Sequence, residues 1–325
     1  MTHPTIIASE STKAETRHFV ASPAAAVPGS CRGFGVHRFL SVTVMLLVSC
    51  LLVTVTGCQM TRRTTFAAHL PNQHSVRTKH FVIQSDVPID AQDPLVKELE
   101  SLQETVRTTL QLPEQRDPVV VYLFSDEVTY RFYMQSTWKD LPARRAYFVG
   151  TPRELAVYSF RSPRLQEDLR HEFTHGILHA CLDTVPLWLD EGLAEYFEIR
   201  GCESGESHPM HVAELRRAME EGWNPSLYKL EVTTDFRNLT QRDYAEAWAW
   251  VHFLMHTKPQ AREVLLTYIS SLSKTSTPKR LQPDLEKVMP EYFPTARAHM
   301  EKLQASPSTV QLTSPPTPAS PFLFP

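Results

Sequence analysis

Apolar positions between residues 80 and 272 fall into blocks whose period changes along the chain. Residues 80–85 and 118–124 are short apolar runs rich in β-branched side chains and read as strands, the second an interior one. Between them Leu95, Val96, Leu99, Leu102, Val106 and Leu110 recur at three and four residues, the spacing of an amphipathic helix ending near Leu112-Pro113. A further helix is predicted over 126–134. Two more strands follow, 145–149 and 154–160, divided by Gly150-Thr151-Pro152. The second of these precedes the next helix directly, so it is either a rim strand whose unpaired edge takes an extended peptide or a plain scaffold strand.

From residue 165 the period is helical. Helices are predicted over 165–180, 187–199, 210–221, 244–255 and 261–272, with Pro186 at a position where a helix can begin without losing a needed amide. Residues 227–238 read mostly as loop. Trp248, Trp250, Phe253 and Leu254 cannot share one narrow stripe, so their helix is expected to be buried on much of its surface. The fold class is therefore α+β: a small mixed sheet followed by a mainly helical part.

The ends differ from this body. Arg32, His37 and Arg38 precede an apolar stretch over 39–55, which suits an export signal and is slightly short for a spanning helix of about 20 residues. Val55-Thr56-Gly57-Cys58 resembles the bacterial lipoprotein signal. That resemblance implies a lipid on Cys58 and an exported body in the bacterial cell envelope, held to the membrane by the lipid or by an uncut signal anchor. Residues 1–58 are thus extension and signal, 59–79 a polar tether, 80–303 the folded body, and 304–325 a disordered Pro/Ser/Thr tail. Of five cysteines, Cys181 and Cys202 belong to the body, where a disulfide and two separate thiols are equally compatible with the sequence. A formal charge of -3 gives no reason to expect nucleic acid as a partner.

Chemistry concentrates in His171-Glu172-Phe173-Thr174-His175, followed by Trp188-Leu189-Asp190-Glu191-Gly192. On a helix His171 and His175 lie one turn apart on one face and can reach one zinc ion, with Glu172 beside a metal-bound water. A catalytic zinc needs three protein ligands and one open position. Asp190, Glu191 and Glu195 compete for the third place. The metzincin arrangement fits less well, because Leu178 and Cys181 stand where that pattern wants a glycine and a third histidine.

The two segments, continued through Leu193-Ala194, resemble the gluzincin branch of the zincin metallopeptidases, whose core is thermolysin-like. The likeness is sharp over 171–197 and loose over 80–270. It implies a zincin-like core with an edge strand over the cleft, one Zn2+ held by His171, His175 and Glu191, and Glu172 as general base. It also implies a neutral donor for the oxyanion, with Tyr244 the first candidate, His252 the second and Tyr158 the third. Glu195 is expected to orient a ligating histidine and His179 to stand behind the ligands or in the core. Glu198 fits either that role or a solvated face. The implied function is zinc-dependent hydrolysis of peptide or protein substrates. Competing readings are a non-catalytic zinc- or peptide-binding lipoprotein and a zinc hydrolase of another amide.

Overall fold

The computed structural model describes residues 5–7, 69–139 and 141–305. The apolar stretch at 39–55, Cys58 and the tail beyond residue 305 lie outside them. In chain order the strands are β1 (Thr5–Ile7), β2 (His74–Arg77), β3 (Phe81–Ser85), β4 (Val119–Phe124), β5 (Ala146–Gly150) and β6 (Leu155–Phe160). The helices are α1 (Pro94–Leu110), α2 (Glu127–Thr137), α3 (Leu165–Cys181), α4 (Leu187–Glu198), α5 (Pro209–Glu220), α6 (Leu227–Val232), α7 (Gln241–His256), α8 (Pro259–Leu272), α9 (Gln282–Val288) and α10 (Tyr292–Ala305). The result is an α+β architecture in which a five-strand mixed sheet precedes a mostly helical remainder, and β1 adds a sixth strand.

The sheet order is β1-β5-β6-β4-β3-β2. β3, β4 and β6 run parallel, while β2 on β3, β5 on β6 and β1 on β5 are antiparallel. Helix α1 makes the crossover that parallel β3 and β4 require. It starts where the Asp93 side chain accepts the Leu95 amide and Pro94 sets the first turn. Alternation along the strands then divides the side chains between two layers. Val119, Val121, Leu123, Phe148 and Val157 join α1 and α3 in one core, whereas Tyr122, Phe124, Tyr147, Tyr158 and Phe160 pack with Tyr130 and Met134 of α2 on the other face.

This arrangement corrects several expectations. β6 is interior, between β5 and β4, and the edge beyond β5 is covered by β1. Residues 74–77, read as tether, form β2 because Val76 finds a buried place against the core. Residues 227–232, read as loop, form α6 because Ser226 caps the Lys229 amide and Leu227 and Leu230 are buried. Cys181 and Cys202 are both free and buried. Among the described residues no helix is long and apolar enough to cross a membrane.

Two close approaches set the position of the helices that matter below. A Cβ on Gly176 would stand 2.8 Å from Val119 Cγ1, so α3 lies directly on β4. A Cβ on Gly192 would stand 2.7 Å from the carbonyl oxygen of Ala247 and 2.9 Å from its carbon, so α4 touches the backbone of α7. Backbone cannot rotate aside as a side chain can. Gly192→Ala is therefore expected to cost about 1–3 kcal/mol by overpacking, read as a lower midpoint in urea unfolding. An unchanged midpoint would mean that the helices part freely.

Candidate metal centre

Helix α3 is buried on nearly every side, and its polar residues are paired within the protein. Arg170 binds Glu98 of α1 at 2.7 Å and the Glu198 carbonyl of α4 at 2.9 Å, so charge and packing together hold three helices. On the face toward α4, His171 and His175 are 1% and 0% exposed, and Glu191 is 0% exposed. His171 Nε2 and His175 Nε2 are 3.3 Å apart. Glu191 Oε2 lies 3.6 Å from the first and 3.7 Å from the second.

Hydrogen bonds on the far side of each ring fix what these atoms offer. Asp190 Oδ1 accepts from His175 Nδ1 at 2.7 Å, and Glu198 Oε2 accepts from His171 Nδ1 at 3.1 Å. With the protons on Nδ1, both Nε2 atoms present lone pairs. The Glu191 carboxylate, with both oxygens buried and no hydrogen-bond partner, presents more. Three acceptors facing one another in a dry interior repel unless a proton or a metal cation sits among them. Tetrahedral zinc with bonds of about 2.0–2.1 Å sets its ligand atoms roughly 3.3–3.5 Å apart, close to the observed triangle. These buried groups could hold a metal ion.

The neighbouring acids are arranged around this triangle. Asp190 takes a second hydrogen bond, from His179 Nε2 at 2.7 Å, which sets His179 on the side of Asp190 away from the triangle. Burial alone would raise the Asp190 carboxyl, but the contacts with His175 and His179 hold it well below the usual carboxylate range. Glu195 accepts from His211 Nε2 at 2.8 Å, and Glu198, one turn further on, is the residue that accepts from His171 Nδ1.

His211 and His208 were not foreseen. Their rings stack at 3.9 Å between centroids, and together with Glu195 they form a second group close enough for a metal. That group fits a metal less well. His208 Nδ1 accepts the His211 amide at 3.4 Å, which leaves its proton on Nε2, the atom that would have to bind. The spacing of the two histidines at i and i+3 was the available signal.

Glu172 points into a cleft of about 290 Å³ that Arg144, Arg145, His171 and His211 also line. Its Oε2 accepts the Phe148 amide of β5 at 2.7 Å. Burial pushes its carboxyl above the usual range, opposed by the charges of His171, His175 and Arg144. Larger hollows of about 740 and 660 Å³ lie along α8 and carry none of the clustered ligands.

The three donor candidates separate clearly. Tyr244 is buried, with its phenol raised well above the ordinary value by burial and then by the negative charge of Glu191, so it stays neutral beside the triangle. Arg144 hydrogen-bonds to its hydroxyl. His252 turns elsewhere: its Nδ1 meets His299 Nε2 at 2.9 Å and its Nε2 the Gly205 carbonyl at 3.3 Å. Tyr158 stacks on Tyr122 and Tyr133 on the opposite face of the sheet from α3.

A family model described as a protein of unknown function (DUF1570) matches residues 168–281, a stretch that contains His171, His175, Glu191 and Tyr244. Among curated proteins none matches the chain.

Proposed function

We propose that this protein is a zinc-dependent metallopeptidase of the gluzincin kind, with one Zn2+ held by His171, His175 and Glu191. The observation that carries the reading is the Glu191 carboxylate, buried without a hydrogen-bond partner and facing two imidazole lone pairs. Two nitrogens and one carboxylate oxygen are a donor set zinc favours, and three ligands are the number a catalytic zinc uses. Bound zinc supplies Lewis acidity toward a carbonyl and lowers the pKa of water to about 7.

The remaining work falls to side chains and backbone of the chain itself. Glu172, anchored by the Phe148 amide and lining the cleft, is the group that takes a proton from the attacking water and passes it to the leaving amine. Tyr244 keeps its proton and can donate a hydrogen bond where negative charge develops. An extended substrate is supported by β5, whose outer edge pairs antiparallel with Thr5–Ile7 and so accepts extended backbone beside Glu172. The lipoprotein-like Cys58 supports action outside the cytoplasm, on peptides or proteins of the envelope.

The test is cleavage of an unbiased peptide library by the zinc-loaded protein. Products that vanish on chelation and return with zinc are expected. A protein that holds zinc yet cuts neither the library nor a denatured protein would instead be a binding lipoprotein.

A further inference from the structure

Four arginines line the cleft beside His171 and Glu172, and three of them are neutralised. Arg145 grips Asp168 with Nη2 to Oδ1 at 2.7 Å and Nε to Oδ2 at 3.0 Å. Arg164 binds Glu167, and Arg217 binds Glu214. Arg144 is different. Among the described residues no carboxylate pairs with it. Its guanidinium donates to the Tyr244 hydroxyl and lies 5.8 Å from the centre of the Tyr147 ring, while Nε and Nη1 are buried with no hydrogen-bond partner.

A guanidinium keeps its charge at any pH the protein meets and has only donors to offer. Unused buried donors on a permanent cation are costly unless something fills them, and the strongest filler is a carboxylate. Among the described residues, the carboxylates that line the cleft are engaged by the other arginines, by histidines or by the Phe148 amide. An acceptor brought by a bound molecule would fill these donors.

We propose that Arg144 is the docking point for a carboxylate of the substrate, either a free C-terminus or an acidic side chain close to the cleaved bond. This rests on the peptidase reading and narrows its substrate class. Arg144 would then hold the substrate on the Glu172 side of the cleft while its bond to Tyr244 keeps the phenol in place.

The test is equilibrium binding of labelled peptides to the zinc-loaded Glu172→Gln protein, which holds substrate without turning it over. Each peptide is offered as C-terminal acid and amide, and with Asp or Asn near its middle. The carboxylate form is expected to bind about 10–100-fold more tightly, as a charge-assisted hydrogen bond allows. Which pair shows the difference tells whether terminus or side chain is read. Arg144→Ala should erase the preference and Arg144→Lys should keep part of it, since lysine retains the charge without the planar fork. Equal binding of both forms, or a preference that survives in Arg144→Ala, would overturn the proposal. Selective binding by a wild-type protein that cuts nothing would leave the docking point standing and remove the peptidase reading.

Discussion

Glu172→Gln is expected to lower peptide hydrolysis by about 10²–10⁴-fold while leaving bound metal and fold unchanged. Glutamine is nearly the same shape and keeps a carbonyl oxygen where Glu172 Oε2 accepts the Phe148 amide at 2.7 Å, so β5 and α3 stay joined. It loses only the ability to take and return a proton. Burial raises the Glu172 carboxyl above the ordinary carboxylate range, the direction that makes it a better proton acceptor. The measurements are kcat on a cleaved library peptide and metal content of the same preparation. A variant that retains more than a tenth of wild-type kcat would assign the proton transfer elsewhere.

The second large effect is thermal. Zinc at about a thousand times its Kd should stabilise the metal-free protein by about 4 kcal/mol, which at about 2–4 °C per kcal/mol for a domain of this size is a Tm rise of roughly 8–16 °C. Glu191→Gln should remove most of that rise, because a neutral amide is a poor zinc ligand.

The rise should also depend on pH. Burial disfavours charging His171 and His175, but in the metal-free protein Glu191 and Glu198 outweigh it for the first, and Asp190 and Glu191 for the second, so both pKa values lie above the ordinary histidine value of 6.5. Groups raised in this way stabilise the metal-free fold below the unfolded-state pKa, and that help is lost as pH rises through the folded-state value. Zinc must displace those protons. Its increment should therefore be smallest below about pH 6 and grow toward alkaline pH. Differential scanning calorimetry with and without zinc at several pH values checks both the size and the trend, and a rise that is the same in Glu191→Gln would place the ion elsewhere.

Local signals made much of this arrangement readable from the sequence, and long-range pairing hid the rest. Short apolar runs rich in β-branched residues marked β3 and β4, and helical spacing marked α1, α3, α4 and α7. Strand order was invisible, since nothing in residues 145–160 says which strand of the pair meets β4. That is why the sequence is equally compatible with β6 as a rim strand and as a scaffold strand. The same ignorance misplaced Tyr158: alternation sends Val157 and Tyr158 to opposite faces, but the face that α3 covers is a property of the assembled sheet.

Helical geometry held more than was taken from it. At about 100° per residue, Glu198 returns to within about 20° of the line of Glu191, whereas Glu195 is about 40° away, which favours Glu198 as the residue that reaches α3. His252 lies about 80° round α7 from Tyr244, so the two were poor joint candidates for one cleft. His208 and His211 escaped notice because they straddle a loop and the start of α5, where no period signals burial.

One short helix carries Asp190, Glu191 and Glu198, which face His175, the gap between the two imidazoles, and His171 in turn. A slip of α4 along α3 by a single turn would remove all three contacts together, so the centre has no half-built form. Its occupancy should accordingly behave as all-or-none with the docking of these two helices.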